Sequence, residues 1–311
     1  MHFVLQLILL AAGFAMLVKG ADWFVDGACG IAEKFHISQL IIGLTIVAMG
    51  TSAPEAAVSI TAASKGSADI TIGNIVGSNI MNILIILGLS AAIVPLAVAK
   101  STIRIEMPFM IFITGVLALL GLDGAITLLD GVILVALFLT YLGYLFYMAR
   151  KHPEDADEEQ SKHLNIWQAL GFTVIGLGLV MLGSNFAVDA ASEIARILGM
   201  SERFIGLTIV ALGTSLPELF TSVTAARKGN ADIAIGNIVG SNVFNILFVV
   251  GLSSLIIPVP FAASFLVDTM VALGVALFLL LVCVKDRKMH RWSGYTMLAM
   301  YGVYFAYLLM H

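Results

Sequence analysis

The chain has 311 residues, 60% of them hydrophobic and only 12% charged, and its mean hydropathy is +1.02. Soluble domains carry about a quarter charged residues, so this composition excludes a soluble domain and points to a polytopic helical membrane protein. The formal net charge of −4 decides little, because in such a protein the placement of charge matters more than its sum.

Taken in chain order, the first stretch, "MHFVLQLILLAAGFAMLVKG", lacks a basic leader region and a small-residue cleavage site, and it reads as a retained first helix. Apolar runs between charged or Pro/Gly-rich breaks then predict ten spans, at 3–20, 38–63, 70–94, 104–121, 127–148, 165–184, 201–226, 233–257, 264–284 and 292–310. Lysine and arginine predict the orientation. With the N-terminus outside, 13 of the 16 basic residues fall on the inner side, and only Lys65, Arg196 and Arg203 fall on the outer side. Both termini are therefore expected outside a cell membrane, with the prokaryotic plasma membrane as the expected location. The histidines (His2, His36, His152, His163, His290, His311) lie at termini or in loops, and Cys29 and Cys283 stand in unrelated contexts. This argues against an intramembrane zinc site, a histidine relay or a disulfide framework.

The chain repeats itself. Residues 42–96 align without a gap on 205–259 at an offset of 163, with 37 of 55 positions identical. The same offset pairs Gly13 with Gly176, Asp26 with Asp189 and Tyr144 with Tyr307. The expected units are 1–148 and 164–311, joined by a charged cytoplasmic linker at 149–163. Each unit has five predicted spans, an odd number, so the second must sit upside down relative to the first. The fold class expected is an all-α integral membrane protein of ten transmembrane helices in two inverted five-helix repeats, an architecture that places a transport site at mid-membrane between the copies.

Two carboxylates dominate the chemistry. Glu55 closes "IVAMGTSAPE" and Glu218 closes "IVALGTSLPE". Each lies deep in its span, where an ionised acid costs about 2.5–3.5 kcal/mol. No lysine or arginine lies at comparable depth, which leaves a bound cation as the natural counter-charge. Pro54 and Pro217 lack an N–H and follow Gly50 and Gly213 by four residues, so the helices are expected to loosen over Ala48–Thr51 and Ala211–Thr214. Thr51, Ser52, Thr214 and Ser215 add hydroxyl oxygens there.

The following spans carry "GNIVGSNIMN" and "GNIVGSNVFN". Ser78 and Asn82, like Ser241 and Asn245, are four apart and share a helical face; Asn74 and Asn237 continue the stripes. Gly73 with Gly77, and Gly236 with Gly240, read as close-packing faces, and Asp69 and Asp232 as N-caps. The donor set is all oxygen, with no thiolate or imidazole, and two carboxylates neutralise one divalent ion. This suits Ca2+ more than Mg2+, and the same oxygens can hold Na+ in competition.

"GTSAPE" with "GSNIMN", and "GTSLPE" with "GSNVFN", resemble the two α-repeats of the sodium/calcium exchangers, in their compact prokaryotic form. The resemblance spans essentially the whole chain. It implies that Glu55 and Glu218 are the central ligands shared by Ca2+ and Na+, and that Thr51 and Thr214 supply carbonyl or hydroxyl oxygens. It further implies that Ser52, Ser78, Ser215 and Ser241, with the carbonyls of Ala48 and Ala211, line flanking sodium sites, and that Asn82 and Asn245 hold a central sodium or water. Some prokaryotic relatives have aspartate at one of these last two positions; here both are asparagine. The resemblance also implies that the first and sixth spans form a tilted pair sliding against the rest.

The function expected is Na+/Ca2+ antiport extruding Ca2+, with Ca2+, Na+ and the lipid bilayer as the only partners and no resident cofactor, nucleic acid or obligate protein partner. H+/Ca2+ antiport is the first alternative, since a desolvated carboxylate takes up protons readily. Potassium-dependent exchange and, from another class, a Ca2+-permeable channel are the others. An enzyme is not expected, because no nucleophile–histidine or metal-binding histidine set lies within the spans.

Overall fold

A computed structural model describes residues 2–151, 164–200 and 205–310. Residues 152–163 of the expected linker lie outside these, as do His152, Lys162, His163, Arg203, His311 and the start of the span expected at 201.

The first helix, α1, runs over His2–Phe35. At 34 residues it is about 50 Å long, well beyond the roughly 30 Å of a bilayer core. It is therefore much longer than the expected span 3–20. Lys19, Asp22, Asp26 and Glu33 are not helix breakers, and the chain turns only at His36, which adopts φ 52°. Ser38 then caps α2 (Gln39–Thr51) by accepting from the Ile41 amide. α3 (Ala53–Ser64) follows at an angle of 49°.

α4 begins as Asp69–Met81, widens into a π-helical turn over Asn82–Leu87 and closes as Gly88–Ile93. α5 (Thr102–Asp123) and α6 (Leu128–Lys151) complete the first five spans. The second set begins with α7 (Ile166–Ile197), which starts with a reciprocal Asn165–Gln168 capping box and exceeds the expected span 165–184 for the same reason as α1. α8 (Thr208–Thr214) and α9 (Leu216–Arg227) are bent by 56°. α10 runs as Ala231–Phe244, a π-helical turn over Asn245–Val250, and Gly251–Ile256. α11 (Ala263–Asp286) and α12 (Arg291–Met310) follow.

Among the described residues seven helices are long and apolar enough to cross a membrane alone, and each bent pair makes one more span. α12, with four tyrosines, is less apolar and is the tenth span. The fold is thus all-helical and membrane-spanning, with two inverted sets of five. Asp69 and Asp232 do not cap their helices as expected. The cap positions fall to Ala68 and Asn230, and both acids sit just inside the first turn, where the helix dipole still favours negative charge.

α4 and α10 form the buried centre, while α1, α6 and α7 present most of their surface outward. α1 and α7 lie along one another on a seam of small residues. A Cβ added at Gly13 would sit 2.7 Å from the Ala187 nitrogen, and one at Gly20 would sit 2.8 Å from the Gly176 carbonyl. The backbones touch, as small-residue membrane interfaces allow. Two short strand pairs fasten one half to the other. β1 (Leu96–Ala97) pairs with β4 (Lys288–Met289), and β2 (Ala125–Ile126) pairs with β3 (Val259–Pro260).

Candidate cation site

Both broken spans turn at a serine. Ser52 (φ −80°, ψ 7°) and Ser215 (φ −90°, ψ 4°) separate the half-helices, and Pro54 and Pro217 sit in the first turn of the next. Ala48–Thr51 and Ala211–Thr214 remain α-helical, so the break falls one residue later than expected. Proline suits a helix start, where its missing N–H costs nothing, and it thus opens a new helix. The expected loosening appears upstream instead, as π-helical turns at Gly43–Val47 and Gly206–Val210. The result is two half-helix N-termini that each present a glutamate in their first turn.

The glutamates meet across the repeats. The Ser52 hydroxyl donates to Glu218 Oε1 at 2.8 Å, and the Ser215 hydroxyl donates to Glu55 Oε1 at 3.3 Å. Glu55 and Glu218 are 0% and 1% exposed. The neighbouring helices supply the rest. Ser241 donates to the Ala48 carbonyl at 3.4 Å, and Thr51 donates to Asn237 Oδ1 at 3.0 Å. Thr51, Ser78, Ser241, Asn82 and Asn245 are all buried, and Thr214 is half-buried. Hydrogen bonds between the repeats thus bring together Glu55, Ser52, Thr51 and Ala48 of the first with Glu218, Ser215 and Ser241 of the second.

Four further asparagine and serine positions support this region, and the motif spacing alone did not single out their roles. Asn79 and Asn242 each donate their side-chain amide to the other's backbone carbonyl at 3.2 Å. Asn82 in turn donates to Asn242 Oδ1 at 2.9 Å, and Asn245 donates to Asn79 Oδ1 at 3.1 Å. Asn74 and Asn237 bond Ser59 and Ser222 at 3.0 and 2.9 Å. The signal available in the sequence was recurrence, since Asn79 and Ser59 return at the 163-residue offset as Asn242 and Ser222.

These bonds have an electrostatic consequence. With their N–H groups committed to the opposite repeat, Asn82 and Asn245 keep Oδ1 as a buried acceptor without a donor, and so do Glu55 and Glu218 with Oε2. Buried polar atoms are nearly always paired, and unpaired ones are costly. These four acceptors have no donor, which is the kind of deficit a bound cation makes good.

The two faces of the molecule differ. On the face carrying Lys228, α2 lies tight against α10. A Cβ at Gly236 would sit 2.9 Å from the Leu40 carbonyl, and one at Gly240 would sit 2.7 Å from the Leu44 carbonyl. On the opposite face a Cβ at Gly77, the counterpart of Gly240, would meet nothing within 4 Å. There a cavity of about 340 Å³ opens between α3, α7 and α8, lined by Pro54, Val58, Asn185, Asp189 and Thr214 among others. It adjoins both helix breaks, at Pro54 on one and at Gly213 and Thr214 on the other.

Inverted repeats, interrupted helices and a paired acidic centre define a membrane transporter. A family model described as "Sodium/calcium exchanger protein" matches residues 5–147 and again 168–310. The inner membrane protein YrbG of Escherichia coli is 38% identical over 263 residues, 82% of this chain and 81% of YrbG. The sodium/calcium exchanger MaX1 of Methanosarcina acetivorans is 31% identical over 97% of each chain. The sodium-calcium exchanger NCX_Mj, in a structure soaked with Na+ and Sr2+, superposes with a TM-score of 0.86 at 35% identity, covering 98% of this chain and 99% of that one. The chain belongs to the sodium/calcium exchanger family, a family of multi-pass membrane transporters and not of enzymes.

Proposed function

We propose that this protein exchanges Na+ for Ca2+ by alternating access and extrudes Ca2+ from the cell. The carrying observation is the meeting of Glu55 and Glu218, from oppositely oriented repeats, each bonded by the serine beside the other. Two carboxylates balance one Ca2+, and flexible all-oxygen ligation suits that ion. Asn82 and Asn245, with their oxygens left free of donors, add neutral ligands. Thr51, Ser52, Ser78, Thr214, Ser215 and Ser241, with the carbonyls of Ala48 and Ala211, complete flanking positions for Na+. Ca2+ and Na+ share the carboxylates, so loading one ion excludes the other. A site reached from one side at a time then couples their movements. Units 1–148 and 164–311 supply one half-site each.

The excess of basic residues on one side of the spans supports placing both termini outside. YrbG, described as an inner membrane protein, supports a prokaryotic plasma membrane. NCX_Mj, solved after soaking in Na+ and Sr2+, supports the ion pair.

Reconstitution tests the reading. Ca2+-loaded proteoliposomes are expected to release radiolabelled Ca2+ when external Na+ is added, and not when only a pH gradient is imposed. Release driven by the pH gradient alone would establish H+/Ca2+ exchange in its place, and release without any counter-ion would establish a channel.

A further inference from the structure

On the closed face, Lys228, at the C-terminal end of α9, reaches across to α1. Its ammonium bonds Asp26 Oδ1 at 2.6 Å, the Asp22 backbone carbonyl at 2.9 Å and the Asp22 carboxylate. Two residues on, Asn230 donates to Cys29 Sγ at 3.2 Å. These contacts tie the α1–α7 pair to the core, and Lys228 is only 26% exposed.

The 163-residue offset transfers each partner to the other face. Lys228 becomes Lys65, Asp26 becomes Asp189, Asp22 becomes Asn185, Asn230 becomes Ser67 and Cys29 becomes Ser192. On that face the set is disengaged. Lys65 is exposed, Asn185 and Asp189 line the open cavity, and the buried Ser192 hydroxyl has no partner. Among the described residues neither Lys65 nor Asp189 forms an ion pair. The repeated sequence thus places the same latch twice, and the structure engages one copy.

We infer that Lys228–Asp22/Asp26 and Lys65–Asp189 are alternating latches, each holding shut the face on which it forms and each broken when the other closes. Inverted repeats exchange conformations as the site switches sides, so closing the cavity carries α7 against the end of α3 as α1 now lies against α9. The second latch has one acid where the first has two, so the face carrying Lys228 is held shut more firmly. This rests on the alternating-access reading above.

The test uses the full chain in proteoliposomes with Val58, in the cavity wall, replaced by cysteine in a background lacking Cys29 and Cys283 (Cys29→Ser, Cys283→Ala). Labelling by a membrane-impermeant maleimide reports the open cavity. Lys228→Gln, or Asp22→Asn with Asp26→Asn should the first misfold, is expected to slow labelling at least about threefold. Lys65→Gln and Asp189→Asn are expected to leave it unchanged or raise it. A Lys65→Cys, Asp189→Cys pair is expected to form a disulfide that blocks labelling and is reversed by reductant. Movement of both lysine variants in the same direction, no change with Lys228→Gln, or failure of the cysteine pair to cross-link would overturn the latches. Na+-driven Ca2+ release measured in the same vesicles without latch substitutions tests the transport reading separately.

Discussion

The side chain of Asn79 has its oxygen on Asn245 and its nitrogen on the backbone of Asn242, and Asn242 mirrors both bonds. This amide pair decides which atom the neighbouring asparagines offer. If Asn245 were free to turn over, it would present N–H groups beside the carboxylates and repel a cation. Asn79→Ala or Asn242→Ala removes both bonds of that side chain; loss of the one that orients Asn245 or Asn82 is a matter of about 1–1.5 kcal/mol and is expected to weaken Ca2+ binding about tenfold. Calorimetric titration of the purified variants checks this, and unchanged affinity in both would refute the orienting role. Glu55→Gln or Glu218→Gln keeps the volume but halves the charge. Losing one charge from a buried, hydrogen-bonded set costs about 2–5 kcal/mol, so Ca2+ affinity is expected to fall at least about 30-fold, with exchange flux at background. The glutamates were legible in the sequence because an acid deep in an apolar run needs compensation. Asn79 was not, because its meaning lies in a contact with the other repeat, which no local spacing reveals.

Among the elements, α10 is the one that cannot give way. Gly236 and Gly240 let α2 approach until backbone meets backbone, whereas the matching glycine on α4, Gly77, faces open space. Gly240→Ala puts a methyl group 2.7 Å from the Ala48 Cβ and the Leu44 carbonyl. Overpacking of this kind costs typically about 1–3 kcal/mol. Gly77→Ala meets nothing and gains helix propensity. In detergent, thermal unfolding of Gly240→Ala is expected several degrees below the parent, and that of Gly77→Ala at or above it; equal losses would contradict the asymmetry. The helices themselves were readable from apolar runs, and the breaks from Gly-Thr-Ser-x-Pro. The lengths of α1 and α7 were not. The expected first span stops at 20, just after Lys19, whereas α1 continues through Asp22 and Asp26 to Phe35, with Asp26 paired to Lys228 at 2.6 Å.

At the scale of the whole molecule, two nearly identical repeats hold different contacts. Position-by-position identity of 37 in 55 residues predicts symmetry, and the site's serine–glutamate and asparagine bonds obey it. The two faces depart from it because a shared site open to both sides would leak. The sequence carries both states at once, so it cannot say which face is closed. Joining the centre from opposite halves also constrains how the protein is made. Glu55 enters the bilayer long before the ribosome has synthesised Ser215, and until then it bears the insertion penalty alone. An unfinished chain is therefore an unstable guest in the membrane and a target for quality-control proteases. Residues 1–148 expressed alone are expected to be degraded rapidly in pulse–chase experiments, and to be rescued by Glu55→Gln or by co-expression of residues 164–311. Survival of the unaltered half would show that nascent chains tolerate the lone acid without their second half.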